Sequence, residues 1–335
     1  MDINSKIERL IINYDLGSVV NSIEAVTGGL SHRMYKVDSD KGTYAIKELN
    51  AGVMKREEAY NNFLFSERVS DLAIENGIPA VGALKINNDI MVKIDDSYFM
   101  VFNWQDGKIL KPEEITEEHC KIVGELLARI HNIDYSSVDD EKRKVIKTEY
   151  YDWNQYIPIA EKQNKPYLDV LKDNVDLLYE LNEKAVKALE YAKDNLVISH
   201  RDMDRKNIMW NNGKPYIIDW EASGYTNPNV ELIEVAWYWS GGDVEKIDYN
   251  KFKTLVETYK KYYNGEVDSN IDILVPADLY GGLGWINYNL KRSLCIENSY
   301  DEDEIKLAEN EVMQSIGELK YNASQFDKMI EILSE

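Results

Sequence analysis

With 335 residues, 44% of them apolar and 30% charged, the chain is long enough for a sizeable core and has the composition of a globular protein. Its 39 basic and 60 acidic side chains leave a formal net charge of −21, a field that repels nucleic acid and anionic membrane and argues against both as main partners. No run is long and apolar enough to span a bilayer and the first residues do not read as a secretory signal; two cysteines, Cys120 and Cys295, build no disulfide framework and, with four histidines, no zinc site, so a reduced, cytoplasmic setting is expected.

Residues 1–16 read as an amphipathic helix, with Ile7, Leu10, Ile11 and Tyr14 at helical spacing. Three β-like stretches follow at 20–26, 33–37 and 43–49, the first two separated by the glycine turn Gly28-Gly29. Residues 54–75 read as helix and stop at Asn76-Gly77, with Pro79 beyond. Two more β-like runs, 90–94 and 98–102, lead to a break at Trp104-Gln105-Asp106-Gly107. The pattern then turns helical. Thr116, followed by Glu117 and Glu118, opens a helix whose apolar stripe includes Ile122, Val123, Leu126, Leu127 and Ile130. Residues 165–194 are helical, 196–220 switch to short β-like pieces around polar loops, and the remainder is mainly helical, with Gly281, Gly282 and Gly284 marking a break or a close approach. The expected fold class is therefore α+β: a small β-rich N-terminal lobe over 1–104 and a larger, mainly helical C-terminal lobe over 105–335, with a ligand cleft between them.

The most specific motif is Ile198-Ser199-His200-Arg201-Asp202-Met203-Asp204-Arg205-Lys206-Asn207, followed downstream by Ile217-Ile218-Asp219-Trp220. The first fits the kinase catalytic-loop pattern H-R-D-L-x-x-x-N with Met for Leu, and the second supplies an Asp after a short strand, as in D-F-G. The residue types suit phosphoryl transfer. Magnesium on a nucleoside triphosphate wants hard oxygen ligands, which Asn207 and Asp219 supply. An acceptor hydroxyl needs orientation and a proton acceptor, which the Asp202 carboxylate supplies. His200 reads as a structural residue bonded to local backbone. A second motif, Tyr44-Ala45-Ile46-Lys47, matches V-A-I-K with Tyr for Val and makes Lys47 the cation on the α- and β-phosphates. Its helix partner is open among Glu57, Glu58 and Glu67. The third, Thr27-Gly28-Gly29-Leu30-Ser31-His32-Arg33, would by itself be a hairpin turn; its place upstream of Lys47 makes Gly28, Gly29 and Ser31 candidates for phosphate contact.

In this order the pieces resemble the aminoglycoside phosphotransferase and choline kinase superfamily of protein-kinase-like, two-lobed small-molecule kinases, over roughly Gly28 to Trp239. The usual H-G-D-L-H-x-x-N carries Arg201 and Asp204 here for the Gly and the second His. The resemblance implies ATP (or GTP) with Mg2+, adenine contacts at Phe102, Asn103 and Gln105, Glu67 rather than Glu57 or Glu58 as the partner of Lys47, and Glu231 behind the catalytic loop. It also implies a small-molecule hydroxyl acceptor such as an aminoglycoside, choline or ethanolamine. No A-P-E follows Asp219, which disfavours a protein acceptor. The acidic composition suits a cationic acceptor. Trp237, Tyr238, Trp239 and Trp285 are candidates for a cation–π wall or for core, and Asn289, Lys291 and Arg292 would instead suit an anionic or sugar acceptor. The alternative from another class is a catalytically silent, nucleotide-binding scaffold of the spore-coat type.

Overall fold

The structure is a computed structural model and describes residues 2–26, 32–138, 143 and 147–335. Its elements, in chain order, are α1 (Ile3–Asn13), β1 (Glu24–Val26), β2 (Arg33–Ser39), β3 (Gly42–Glu48), α2 (Ala51–Met54), α3 (Ala59–Glu75), β4 (Val92–Ile94), β5 (Ser97–Asn103), β6 (Lys108–Ile109), α4 (Glu117–His131), α5 (Ile157–Lys162), α6 (Leu168–Ala192), β7 (Val197–Ser199), β8 (Ile208–Asn211), β9 (Lys214–Ile217), β10 (Gly224–Thr226), α7 (Pro228–Trp239), α8 (Tyr249–Tyr262), α9 (Ile271–Leu274), α10 (Leu279–Ser293), α11 (Glu302–Ser324) and α12 (Phe326–Ser334). The fold class is α+β. Two compact units form: the described residues of Met1–Lys111, Ile133–Asp139 and Ile198–Gly224, and those of Pro112–Asn132, Asp140–Val197 and Tyr225–Glu335. The expected boundary at 104/105 is contiguous, whereas these units are not. The segment carrying Asp202, Asn207 and Asp219 groups with the N-terminal strands.

In the first unit an antiparallel sheet runs in the order β1-β2-β3-β5-β4. Register pairs Met34 with Lys47 and Lys47 with Met100, so Lys47 sits on the central strand. Alternation along β3 sends Tyr44 and Ile46 to one face, where Ile7, Leu10 and Ile11 of α1 seal a core with Val37, Val92, Phe99 and Val101. Lys47 therefore takes the opposite face, where Leu49, Phe63 and Met100 form a second cluster. Helix α3 ends as its sequence dictates. Asn76 is the C-cap, Gly77 is left-handed (φ 74°), and the Ile78 N–H closes back on the Ala73 carbonyl at 2.9 Å. The helix expected over 54–75 begins at Ala59: Asn50 caps the separate, short α2 through Gly52 N–H, α2 ends at Met54, and the chain turns before α3. A small sheet in the order β6-β8-β9 carries the catalytic segment. The Ile217 N–H bonds the Pro79 carbonyl, and Val81 N–H bonds the Ile217 carbonyl, tying β9 to the strap that follows α3.

The second unit is helical. Trp153, Tyr156 and Tyr167 pack with apolar residues of α6, α10 and α11. Helix α10 runs unbroken past Gly281, Gly282 and Gly284. At Gly282 a Cβ would lie 3.1 Å from Leu319 of α11, so close packing is the sense of that glycine. Helix α4 opens with a capping box between Thr116 and His119. Its His131 is buried between Glu231 (2.9 Å) and the Tyr259 hydroxyl (2.8 Å). Among the described residues no helix is long and apolar enough to cross a membrane.

Candidate active site

The loop after β7 is braced from within. Asp202 N–H donates to His200 Nδ1 at 3.2 Å, which leaves the ring proton on Nε2, 3.0 Å from the Ile218 carbonyl. His200 is fully buried, with its edge on Trp220 at 4.7 Å. It is the structural residue the sequence suggested, and it joins the Asp202 loop to the Asp219 strand. Arg201 holds φ 64°, a left-handed conformation costly for a residue with a Cβ. Glycine adopts it freely, which explains the glycine usual at this place in the motif.

Asn207 is buried, and its side-chain N–H donates to the Asp202 carbonyl at 2.8 Å. That leaves its amide oxygen for a cation. The Ile218 N–H bonds the Asn207 carbonyl at 2.9 Å, which brings Asp219 beside it. Asp219 is also left-handed (φ 59°), and its carboxylate is 41% exposed. Among the described residues no group of three or more His, Cys, Asp or Glu is arranged to hold a metal ion. An amide oxygen with one carboxylate nonetheless fits magnesium, which keeps water and takes substrate phosphate oxygens to complete six ligands.

Lys47 corrects one expectation. Its Nζ lies 2.9 Å from Asp219 Oδ1 and 2.5 Å from Glu221 Oε2, and these two carboxylates, not Glu67, hold it. Glu67 is buried at the end of its own hydrogen bond from Ala83 N–H, 2.7 Å away. Burial pushes its carboxyl up to about 7 against the pull of that N–H. Glu57 and Glu58 are exposed. Burial alone would lower the Lys47 ammonium; Asp219 and Glu221 outweigh it and raise the pKa. Burial would likewise raise Glu221, yet the bond from His32 and the charge of Lys47 hold it down at about 2.

Glu221 and His32 are the two site residues that sequence reasoning passed over. His32 Nδ1 accepts from Asn50 N–H at 2.9 Å, so Nε2 carries the proton and points at Glu221 Oε2, 3.3 Å away. Phe63 meets the ring edge-on at 5.8 Å. Ser66 Oγ fixes the Glu221 carbonyl at 3.2 Å. The signal was present: Glu221 directly follows the Ile217-Ile218-Asp219-Trp220 motif, and His32 belongs to the Thr27-to-Arg33 motif.

Gly28, Gly29 and Ser31 lie outside the described residues. Phe102 and Asn103 end β5, the strand beside Lys47, and Gln105 lies in the turn before β6. The adenine role given to these three rests on the resemblance. In the second unit, Trp237 and Trp239 are core, whereas Trp285 is 46% exposed and stacks on Tyr288 at 5.5 Å with its N–H on Glu311. Lys291 and Arg292 are paired with Glu297 and Glu304.

Comparison with known proteins agrees with this fold. The family model for the phosphotransferase enzyme family matches residues 22–263. No curated protein sequence matches. Among solved structures, a spectinomycin phosphotransferase in complex with ADP and spectinomycin is similar at a TM-score of 0.66 and 15% identity, covering 98% of this chain and 97% of that one. A choline/ethanolamine kinase family protein from Mesorhizobium loti gives 0.61 at 16% identity with 98% of each chain covered. An ethanolamine kinase from Plasmodium vivax gives 0.55 at 17%, covering 88% of this chain and 81% of that one.

Proposed function

The chain belongs to the phosphotransferase enzyme family, and from that premise we propose that it moves the γ-phosphoryl group of a nucleoside triphosphate, ATP or GTP, to a hydroxyl of a small molecule. The observation that carries the reading is the convergence, within one compact unit, of Lys47 on Asp219, of Asp219 beside Asn207, and of Asn207 on the backbone of Asp202.

Asp202, with a carboxylate 36% exposed, orients the acceptor hydroxyl and takes its proton. The hydroxyl oxygen forms a bond to Pγ, the bond from Pγ to the β–γ bridging oxygen breaks, and its electron pair leaves with the nucleoside diphosphate. Lys47 neutralises the α- and β-phosphates, positioned by Asp219, Glu221 and, through Glu221, by His32. Asn207 and Asp219 would hold magnesium, which supplies positive charge against the phosphate oxygens. After Asp219 the chain passes through one short turn and β10 and is helical again from Pro228. That leaves no length for a protein-docking activation segment and favours a small acceptor.

The test is magnesium-dependent ADP release against choline, ethanolamine, aminoglycosides and neutral sugars. Asp202→Asn is expected to lower turnover by about 10²–10⁴-fold while MgATP still raises the melting temperature. Normal turnover by that variant would remove Asp202 as base. Binding of MgATP without turnover by the wild type would favour a silent scaffold.

A further inference from the structure

We propose that Lys206 is a second catalytic cation, donating from Nζ to the transferring phosphoryl group beside Asp202; the proposal rests on the phosphotransferase reading and deepens it. Lys206 lies on the 3-10 turn Arg205–Asn207, between the proposed base and the proposed magnesium ligand. Its side chain folds back so that Nζ is 3.4 Å from Asp202 Oδ1 and 3.6 Å from Asp204 Oδ2. Both contacts are long for a hydrogen bond between charged groups, which closes to about 2.7–2.9 Å. The ammonium is therefore held beside the base by two long contacts. It is also open: the Lys206 side chain is 59% exposed, against 10% for Lys47.

Asp204 builds the arrangement. Its side chain caps the turn by accepting from Lys206 N–H at 3.4 Å, and the same carboxylate faces Lys206 Nζ. This is the place where the usual motif has its second His. The chain has an acid there and a lysine two residues later, at an unspecified position of the motif directly before Asn207, so the acid is placed to hold the lysine.

The chemistry asks for such a group. As the acceptor oxygen bonds to Pγ and the bridging oxygen departs, charge spreads over the three equatorial oxygens of the moving group. Lys47, with two carboxylates on it, serves the α- and β-phosphates. A cation next to the base reaches whatever the base holds, because a hydroxyl hydrogen-bonded to Asp202 lies next to Lys206 Nζ as well. When the proton passes to Asp202, that carboxylate loses its charge, and the ammonium is left facing the newly phosphorylated product.

The experiment measures kcat and KM for MgATP in wild type, Lys206→Ala, Lys206→Arg and Asp202→Asn, with the same acceptor panel and with water as an acceptor-independent case. Lys206→Ala is expected to lose about 100-fold in kcat, the range for removing one preorganised donor to developing charge, with KM for MgATP within about threefold and an unchanged MgADP-induced rise in melting temperature. Lys206→Arg should restore at least about tenfold of the loss, since charge and reach are kept. A Lys206→Ala kcat within about threefold of wild type, a loss carried by KM alone, or a loss that arginine does not restore would overturn the role. If Asp202→Asn is inactive while Lys206→Ala turns over normally, Lys206 falls and the phosphotransferase reading stands. No turnover by the wild type with any acceptor or with water overturns the reading, and the role of Lys206 falls with it.

Discussion

Glu67 is a buried carboxylate whose one strong partner is a backbone N–H, and this makes it a stability sensor. Its pKa is raised from the ordinary 4.5 to about 7 by burial, opposed by the Ala83 hydrogen bond. A raised folded-state pKa contributes stability that is fully present below 4.5 and is lost as pH rises through about 7. Glu67→Gln keeps an acceptor for Ala83 N–H and removes the charge. The variant is therefore expected to lack the slope across that window and to exceed the wild type above it by up to about 3 kcal/mol, from the size of the shift. Urea unfolding of both proteins at pH 5 and pH 8 checks this; parallel behaviour at the two pH values would show that Glu67 keeps its charge at little cost. Glu221, with its pKa depressed to about 2, contributes in the opposite sense, stabilising above 4.5 and losing that as pH falls toward 2. The two acids have the same chemistry and differ in neighbours: Lys47 and His32 bond one, whereas among the described residues the other accepts from the Ala83 N–H.

At the scale of elements, helix contacts are decided by the smallest residues. Gly124 on α4 faces α8 so closely that a Cβ there would lie 2.6 Å from the Leu255 carbonyl oxygen. Alanine would gain about 1 kcal/mol of helix propensity. The obstacle, however, is backbone, which cannot swing aside, and overpacking of this kind costs about 1–3 kcal/mol. Gly124→Ala is expected to lower the melting temperature by several degrees, with α4 and α8 forced apart; a rise would mean that the helices separate without loss. This contact is tertiary, and the sequence does not announce it. What the sequence did announce was local. Alternation along β3 put Lys47 opposite Ile46, Asn76-Gly77 ended α3, and the spacing from His200 to Asn207 defined the loop. The partner of Lys47 was illegible because Glu67, one helix away in sequence, competes with Glu221, 174 positions along. The glycines of α10 read equally as a break or a contact until Leu319 was in place. Trp237 and Trp285 share a composition signal, and only packing separates the core residue from the exposed one.

The whole molecule carries 21 more acidic than basic charges, and this field acts on every ligand that approaches. Some acids are neutralised along helices, as in the Glu180–Lys184 and Glu183–Lys187 pairs of α6, but the excess remains. A cationic acceptor is enriched near such a surface and a neutral one is not. The nucleotide is an anion and meets the opposite effect, so the local cations Lys47 and Lys206 must overcome the general field. Salt separates these contributions, because at about 0.1 M the Debye length has shrunk to about 10 Å and distant charges no longer count. Raising ionic strength from about 0.02 to 0.3 M should therefore increase KM severalfold for a cationic acceptor such as choline or an aminoglycoside. KM for a neutral sugar should stay level, and that for MgATP should stay level or fall. These are initial-rate measurements at saturating co-substrate. If KM for the cation ignores salt, the acidic surface takes no part in choosing the acceptor, and selection falls to short-range contacts. If it rises as expected, the net charge is part of how the enzyme gathers its substrate.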